Sequence, residues 1–264
     1  MKVVLFCGGL GMRMREYSEH VPKPMVPVGN RPILWHLMRY YAHYGHKDFI
    51  LCLGYRGEAI KSYFVDYKEW LSNDFVLSSS SDRIEMLGRD IQDWRITFVE
   101  TGLSANIGER LLAVRPHLQG EEAFLANYAD GLSDAPLDAM IERFRQQRKT
   151  AALLATRPKH TFHALELDAD DAVASVQEVH RAGLWINGGF FILRKEIFDV
   201  LQPGNELVSE PFQRLIARGE LMAYRHEGFW VGMDTFKERQ LLDDLWSRGA
   251  APWALWQRQL VATA

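Results

Sequence analysis

The feature that most constrains the fold is the end of the first strand, where an apolar run changes abruptly into a glycine cluster. Val3–Phe6 predicts a buried strand, and Cys7-Gly8-Gly9-Leu10-Gly11-Met12-Arg13 follows it directly. Glycines let the backbone approach an anion closely and direct successive N–H groups at it, because they carry no Cβ. Lys23 comes next, between two prolines. The stretch predicts a strand leading into a phosphate-binding loop, with Arg13 and Lys23 as its cations.

This loop differs from two common phosphate-binding loops. It lacks the Lys-Ser/Thr pair of a P-loop, and its Gly-Gly-x-Gly-x-Arg spacing departs from the G-x-G-x-x-G of dinucleotide-binding proteins. A glycine-rich turn after a strand is more often structural than ligand-binding. Arg13, two residues after the last glycine, and Lys23 favour the ligand-binding interpretation here.

Strands and helices alternate through the first 156 residues. Several strands are short, continuous apolar runs, the pattern of strands buried on both faces of a parallel sheet. The predicted strands are Val3–Phe6, 49–53, 95–99, 124–128 and 151–155, and the predicted helices are 32–41, 58–71 and Leu137–Gln147. We therefore expect an α/β protein with a Rossmann-like mixed, mainly parallel sheet flanked by helices.

The pattern changes after residue 157. Short strands at 164–167 and 174–177 predict a small β-rich elaboration over the carboxyl edge of the sheet, and 185–193 predicts an apolar strand containing a glycine pair. A glycine within a strand indicates a bulge or a close ligand. Helices are predicted at 236–246 and 252–256, with aromatic residues that look exposed. No linker is evident, so one domain spanning 1–264 is expected.

Charge and cysteine content exclude several classes of protein. The net charge of −3 argues against a general nucleic-acid binder, which usually carries a basic excess. Cys7 and Cys52 lie in apolar runs and are expected to be buried thiols, which fits a reducing cytoplasm. No apolar run approaches membrane-spanning length, and no leader segment is evident. We expect a cytoplasmic protein with no membrane or nucleic-acid partner.

Several motifs, in order, resemble the sugar-1-phosphate nucleotidyltransferases, and within them the glucose-1-phosphate cytidylyltransferases. The resemblance covers nearly the whole chain. It is carried by Gly8-Gly9-Leu10-Gly11-Met12-Arg13, Pro22-Lys23-Pro24-Met25, Pro32-Ile33-Leu34-Trp35-His36, Gly54-Tyr55-Arg56-Gly57, Gly108-Glu109-Arg110-Leu111, Tyr128-Ala129-Asp130-Gly131, Ile186-Asn187-Gly188-Gly189-Phe190-Phe191 and Met233-Asp234-Thr235.

The resemblance implies a Mg²⁺-dependent reaction of CTP with a hexose 1-phosphate, giving a CDP-sugar and pyrophosphate. It implies a nucleotide-binding core at 1–156, an acceptor-binding (sugar-binding) elaboration at 157–235, a helical tail at 236–264 and a homo-oligomer. The predicted site residues are Lys23, Arg13 and Asp130 for catalysis; Leu10, Gly11, Arg13, Thr101, Gly102 and Arg110 for the nucleotide; His163, Glu178, Arg181, Asn187 and Gly188 for the acceptor; and Asp130 and Asp234 for the metal.

Taken singly, these residues have simpler interpretations. Asp130 follows a predicted parallel strand, where open α/β sheets bind ligands, yet an aspartate there is more often a turn or cap residue. Asp234 precedes a predicted helix and alone would be an N-cap. Trp230 is most simply a core residue. The aromatic tail is either core packing or a subunit contact, and the family's oligomeric habit favours the contact.

Three positions depart from the family where it contacts its substrates. Met12 replaces a small hydroxyl residue, and His163 replaces a glycine beside the sugar. Val179 stands where the family has the lysine that reaches the sugar phosphate, and losing a cation beside a phosphate weakens binding unless another replaces it. Among the neighbouring cations we favour Arg181. Either the loop binds the same sugar phosphate through different residues, or the acceptor differs from glucose 1-phosphate.

Two alternatives to the main prediction stay open. The first is the same chemistry with UTP, dTTP or a non-glucose phosphorylated acceptor. The second is a non-catalytic homologue that binds nucleotide sugars and regulates a partner enzyme. Retention of Arg13, Lys23, Asp130 and Asp234 argues against the second, whereas the substitution at Val179 supports it.

Overall fold

The computed structural model describes residues 1–9, 21–80, 83–158 and 162–257. Within them the strands are β1 (Val3–Phe6), β2 (Pro27–Val28), β3 (Arg31–Pro32), β4 (Asp48–Leu53), β5 (Phe75–Ser78), β6 (Arg83–Met86), β7 (Arg95–Glu100), β8 (Ala123–Tyr128), β9 (Gly131–Ser133), β10 (Ala151–Thr156), β11 (His163–Leu167), β12 (Val173–Glu178), β13 (Ile186–Asn187), β14 (Phe191–Arg194), β15 (Leu221–His226) and β16 (Trp230–Gly232). The helices are α1 (Ile33–His43), α2 (Gly57–Val65), α3 (Ile107–Val114), α4 (Leu137–Gln147), α5 (Ile197–Val200), α6 (Glu210–Ala217) and α7 (Phe236–Ser247). None of the described helices is long and apolar enough to cross a bilayer.

An eight-stranded sheet organises the chain. β1 lies inside it, paired in parallel with β4 on one side and β8 on the other, and β7 continues the parallel run beyond β4. β14 is antiparallel to β8, and β10 pairs with β13 and β14 along one edge and with β15 along the other. The sheet is therefore mixed and mainly parallel, as predicted.

Side chains alternate across the sheet and fill a core on each face. Along β1, Val3 and Leu5 face the core that contains α1 and α4, whereas Val4 and Phe6 face the core formed by α3, α5 and α6. Burial on both faces explains why the strand is continuously apolar. The prediction of buried, unpaired thiols at Cys7 and Cys52 is confirmed.

The strand predicted at 185–193, with a glycine pair inside it, forms as β13 and β14 with a bulge between them. Gly189 and Phe190 both have positive φ, at 75° and 48°, and the register against β10 shifts there. The segment stays bonded to β10, because the Gly188 N–H donates to the Leu154 carbonyl and the Leu154 N–H donates to the Gly189 carbonyl. The Phe190 N–H donates to Asn127 Oδ1. A Cβ on Gly189 would lie 2.3 Å from that same oxygen, so the glycine marks a close approach.

The helix predicted at 58–71 ends earlier, at Val65. Residues beyond it are held by the buried guanidinium of Arg31, which donates to the Lys68 carbonyl and to Ser72 Oγ. Those bonds require the backbone to turn toward Arg31 rather than continue helically, and only a short 3₁₀ turn forms at Glu69–Leu71.

The aromatic tail packs into the chain's own core, contrary to the expectation of exposed aromatics. Trp253 is fully buried, and its Nε1–H donates to His36 Nδ1 at 3.3 Å. The rings of Trp246 and Trp256 also contact the His36 ring, with centroids 4.5 and 6.3 Å away. His36 Nε2 bonds the Val28 carbonyl, so the other ring nitrogen accepts from Trp253.

Candidate functional site

The carboxyl ends of the parallel strands bring three glycines together. Gly8 follows β1, Gly54 follows β4 and Gly102 follows β7. A Cβ on Gly54 would lie 2.7 Å from the Gly8 carbonyl oxygen and 2.9 Å from that of Gly102, so no larger residue fits. The rest of the glycine loop, including the predicted site residues Leu10, Gly11 and Arg13 and also Met12, lies outside the described residues.

The Arg110 side chain forms hydrogen bonds that connect these three strand ends. It is 3% exposed, and its Nη1 donates to the Leu53 carbonyl at 3.1 Å and to Thr101 Oγ1 at 2.6 Å. Its Nη2 donates to the Gly8 carbonyl at 3.0 Å. The side chain comes from the first turns of α3, which Asn106 and Glu109 begin with a capping box. The predicted nucleotide residues Thr101, Gly102 and Arg110 thus lie together, with the Arg110 guanidinium bonded largely to backbone carbonyls.

Lys23 extends into a pair of carboxylates. Its Nζ lies 2.5 Å from Asp130 Oδ2 and 2.7 Å from Asp234 Oδ1, and its side chain is 11% exposed. A 3₁₀ turn at Lys23–Met25 presents the lysine, closed by a bond from the Met25 N–H to the Pro22 carbonyl. The flanking prolines restrict the backbone on both sides of the lysine.

A short antiparallel pairing brings the two aspartates together. β9 begins just after Asp130, and β16 ends just before Met233 and Asp234, with Gly131 opposite Gly232. The Met233 N–H donates to the Asp130 carbonyl at 2.9 Å. Asp234 is then held at the start of α7, where Thr235 and Glu238 form a capping box and Glu238 also accepts the Asp234 N–H.

Charge balance in this group favours the protonated lysine. Burial lowers the pKa of Lys23, but the nearby Asp130 and Asp234 carboxylates, which also accept its hydrogen bonds, outweigh burial and raise the pKa above its ordinary value. The Lys23 ammonium group therefore faces the Asp130 and Asp234 carboxylates as a cation at the carboxyl edge of β8.

The same two carboxylates fit a divalent cation. One oxygen of Asp130 and one of Asp234 converge on a single point, which Lys23 Nζ occupies. Mg²⁺ binds one or two protein carboxylates and completes its coordination with water and substrate phosphates. No group of three or more His, Cys, Asp or Glu side chains suited to a metal occurs among the described residues.

A second group, at the bulge between β13 and β14, lies beside β8 and β16. The predicted acceptor residues Asn187 and Gly188 lie here: Asn187 Nδ2 donates to Tyr128 Oη at 3.3 Å, and the Gly188 carbonyl accepts Trp230 Nε1–H at 2.8 Å. Trp230 lies on β16, so it connects the acceptor segment to the strand that leads to Asp234.

The remaining predicted acceptor residues lie on the β11–β12 hairpin and the turn after it. His163 pairs with Glu178 across the hairpin, and Arg181 lies on the 3₁₀ turn that follows β12. Glu178 Oε2 is 3.4 Å from His180 Nε2 and 3.5 Å from Arg181 Nε. The Arg181 side chain is 72% exposed. This group contacts itself rather than the Lys23 group.

The chain resembles known proteins both in sequence and in fold. The family model described as nucleotidyl transferase matches residues 2–239. The chain is 41% identical over 259 residues to a glucose-1-phosphate cytidylyltransferase of Salmonella typhi, covering 97% of this chain and 100% of that protein. It is 29% identical to a D-glycero-alpha-D-manno-heptose 1-phosphate guanylyltransferase of Campylobacter jejuni, covering 83% and 89% of the two chains.

The fold resembles solved structures at much lower identity. A UDP-glucose pyrophosphorylase in complex with UDP-glucose superposes with a TM-score of 0.68 at 17% identity, covering 94% of this chain and 98% of that one.

Proposed function

The chain belongs to the nucleotidyl transferase family, and we propose that it joins CTP to glucose 1-phosphate, giving CDP-glucose and pyrophosphate. A phosphate oxygen of glucose 1-phosphate attacks the α-phosphorus of CTP and forms a new P–O bond. The bond from the α-phosphorus to the oxygen bridging to the β-phosphate breaks, and its electron pair leaves with pyrophosphate. Strong full-length similarity to glucose-1-phosphate cytidylyltransferases supports this choice of nucleotide and sugar.

The observation that carries the proposal is the convergence of Lys23, Asp130 and Asp234 at the carboxyl edge of the sheet. Nucleotidyl transfer needs little covalent help from side chains. It needs two anionic substrates aligned against their repulsion, and stabilisation of charge on the departing pyrophosphate. A lysine beside two carboxylates supplies one fixed cation and a binding pair for a second, at the edge where open α/β sheets bind ligands.

Asp130 and Asp234 would hold Mg²⁺, and Lys23 would contact the α-phosphate and the attacking phosphate. Bound Mg²⁺ supplies electrostatic stabilisation of phosphate oxygens. Lys23 neutralises part of the negative charge that the two substrates bring together, which lowers the cost of their approach. The Asp234 N–H donates to Glu238 of the α7 capping box, which holds the Asp234 backbone at the start of the helix.

We assign the nucleotide-binding half of the site to the glycines at the strand ends. Leu10, Gly11 and Arg13 would bind the triphosphate, and Thr101, Gly102 and Arg110 would surround the nucleoside. The acceptor half is assigned to His163, Glu178, Arg181, Asn187 and Gly188. The Arg181 side chain is 72% exposed, so its guanidinium group is accessible to a ligand. This exposure supports Arg181 as the residue that binds the sugar phosphate in place of the lysine found in the family.

A substrate panel tests the proposal. Purified protein is given CTP, UTP, dTTP or GTP with glucose 1-phosphate, mannose 1-phosphate or a heptose 1-phosphate in the presence of Mg²⁺, and pyrophosphate release is measured. We expect the highest kcat/KM with CTP and glucose 1-phosphate. A different best pair would replace the assigned substrates within the same chemistry. No release with any pair, together with nucleotide-sugar binding, would identify a non-catalytic homologue.

A further inference from the structure

Lys23 uses the very carboxylate oxygens that suit a divalent cation. Its Nζ lies within 2.7 Å of one oxygen from Asp130 and one from Asp234. A cation between these oxygens and a lysine ammonium at such distances from both would occupy overlapping positions. The same residues thus serve two mutually exclusive cations.

The lysine is held firmly in this position. Its backbone lies in a 3₁₀ turn between two prolines, and the Val26 N–H donates back to the Lys23 carbonyl at 3.1 Å. The side chain is mostly buried, with two charge-assisted bonds at its end. The Asp130 and Asp234 side chains are 30% and 34% exposed, so solvent reaches both carboxylates.

We propose that Lys23 is an internal counter-ion that keeps Mg²⁺ out of the Asp130–Asp234 pair until a triphosphate is bound. Without nucleotide, a divalent ion entering the pair must displace an ammonium group or lie against it. With nucleotide, the phosphates supply new partners for Lys23 and additional oxygens for the metal. The metal and the nucleotide therefore enter together, and the free protein binds Mg²⁺ weakly.

This inference rests on the proposed function only for the nucleotide that releases Lys23. The competition between lysine and metal is a property of the described side chains. It predicts that removing the lysine charge strengthens metal binding in the absence of any substrate, while it damages the reaction.

Binding of Mn²⁺ alone, measured by electron paramagnetic resonance, tests the inference without any turnover. We expect Lys23→Gln to bind Mn²⁺ at least tenfold more tightly than the unchanged protein, because the variant lacks the ammonium group that lies between the two carboxylate oxygens. Lys23→Arg keeps a cation in place and should bind as weakly as the unchanged protein. Adding Asp130→Asn to Lys23→Gln should abolish the gain, which locates the bound ion.

Equal Mn²⁺ affinity of the Lys23→Gln variant and the unchanged protein would overturn the inference, and so would a gain that survives Asp130→Asn. Circular dichroism and urea unfolding establish that each variant is folded, and Lys23→Met provides a second neutral variant if Lys23→Gln fails to fold. A tenfold gain in a protein that makes no CDP-glucose would uphold the counter-ion and reject the proposed substrates. Unchanged Mn²⁺ affinity of the Lys23→Gln variant, in a protein whose unchanged form makes CDP-glucose, would reject the counter-ion and uphold the proposed substrates.

Discussion

Lys23 and Asp130 are separated by 107 residues, yet their Nζ and Oδ2 atoms lie 2.5 Å apart. The contact joins the turn after the glycine loop to the end of β8, and the neighbouring contact with Asp234 joins both to the start of α7. Three distant segments thus meet at one charged group.

Replacing Lys23 with alanine should lower the rate more than it weakens substrate binding. The lysine stabilises charge that develops as the phosphates meet, so kcat should fall by about 10²- to 10³-fold with a smaller change in KM. Steady-state kinetics with both substrates measures this. Lys195→Ala is the matched control, because Lys195 is also paired with a carboxylate, Glu122, but lies exposed at the other end of the sheet. An effect confined to KM would contradict the role given to Lys23.

Replacing Asp130 with asparagine should abolish Mg²⁺-dependent turnover while the fold is kept. Asparagine has the same shape but no charge, so the cation loses one of its two carboxylates. Pyrophosphate release measures turnover, and urea unfolding checks the fold. Asp93→Asn removes an exposed carboxylate that pairs with Lys47 and should leave the rate within about twofold. Normal activity of Asp130→Asn would refute the metal assignment.

Gly189→Ala should destabilise the protein more than Gly120→Ala. Both glycines have positive φ, at 75° and 86°, so alanine is strained at either position. Only at 189 would the new Cβ meet another atom, Asn127 Oδ1, whereas around Gly120 the space is open. We expect a loss of about 1 kcal/mol at 120 and about 3 kcal/mol at 189 in urea unfolding. Equal losses of stability in the two variants would mean that the positive φ alone, without the contact with Asn127 Oδ1, accounts for the cost of replacing Gly189.

The free energy of unfolding should fall in mild acid because of the buried His36. Burial lowers its pKa to about 4 from an ordinary value near 6.5, although its bond to the Val28 carbonyl opposes the shift. Between these two pKa values His36 is protonated in the unfolded chain but neutral in the folded chain. The free energy of unfolding therefore falls as the pH drops from about 7 toward 4. The contribution amounts to about 3 kcal/mol when complete.

Urea unfolding at pH 7.5 and pH 5 measures this dependence. His36→Gln lacks the titrating group and should lose less stability between the two pH values than the unchanged protein. Some dependence should remain, because burial and the N-terminal charge also lower the pKa of His46 to about 4. An unaltered difference between the two pH values would show that His36 does not contribute.

The sequence predicts the parallel sheet well, because continuously apolar strands and intervening amphipathic helices leave strong local signals. The glycine cluster and the flanking prolines predict Lys23 as a cation of the site, whereas Asp130 and Asp234 are identified as metal ligands only through the family resemblance. The contact among these three residues depends on β9 and β16, which are three residues long and too short for any periodicity to reveal.

Other features that escape prediction also depend on contacts distant in sequence. Trp230, predicted as a core residue, packs partly buried against the core, but its Nε1–H also donates to the Gly188 carbonyl, a contact that the sequence does not predict. Gly188 and Gly232 leave room for its ring. The tail aromatics looked exposed because the same side chains suit a partner surface or a core. Their burial depends on His36, more than two hundred residues earlier.

Oxygen labelling tests the proposed reaction most directly. Glucose 1-phosphate carrying ¹⁸O at the non-bridging phosphate positions is incubated with CTP, Mg²⁺ and the protein, and both products are analysed by mass spectrometry. Attack by the sugar phosphate on the α-phosphorus predicts CDP-glucose that retains every labelled oxygen and pyrophosphate that carries none. Label in pyrophosphate, or no labelled CDP-glucose at all, would contradict the reaction assigned to this protein.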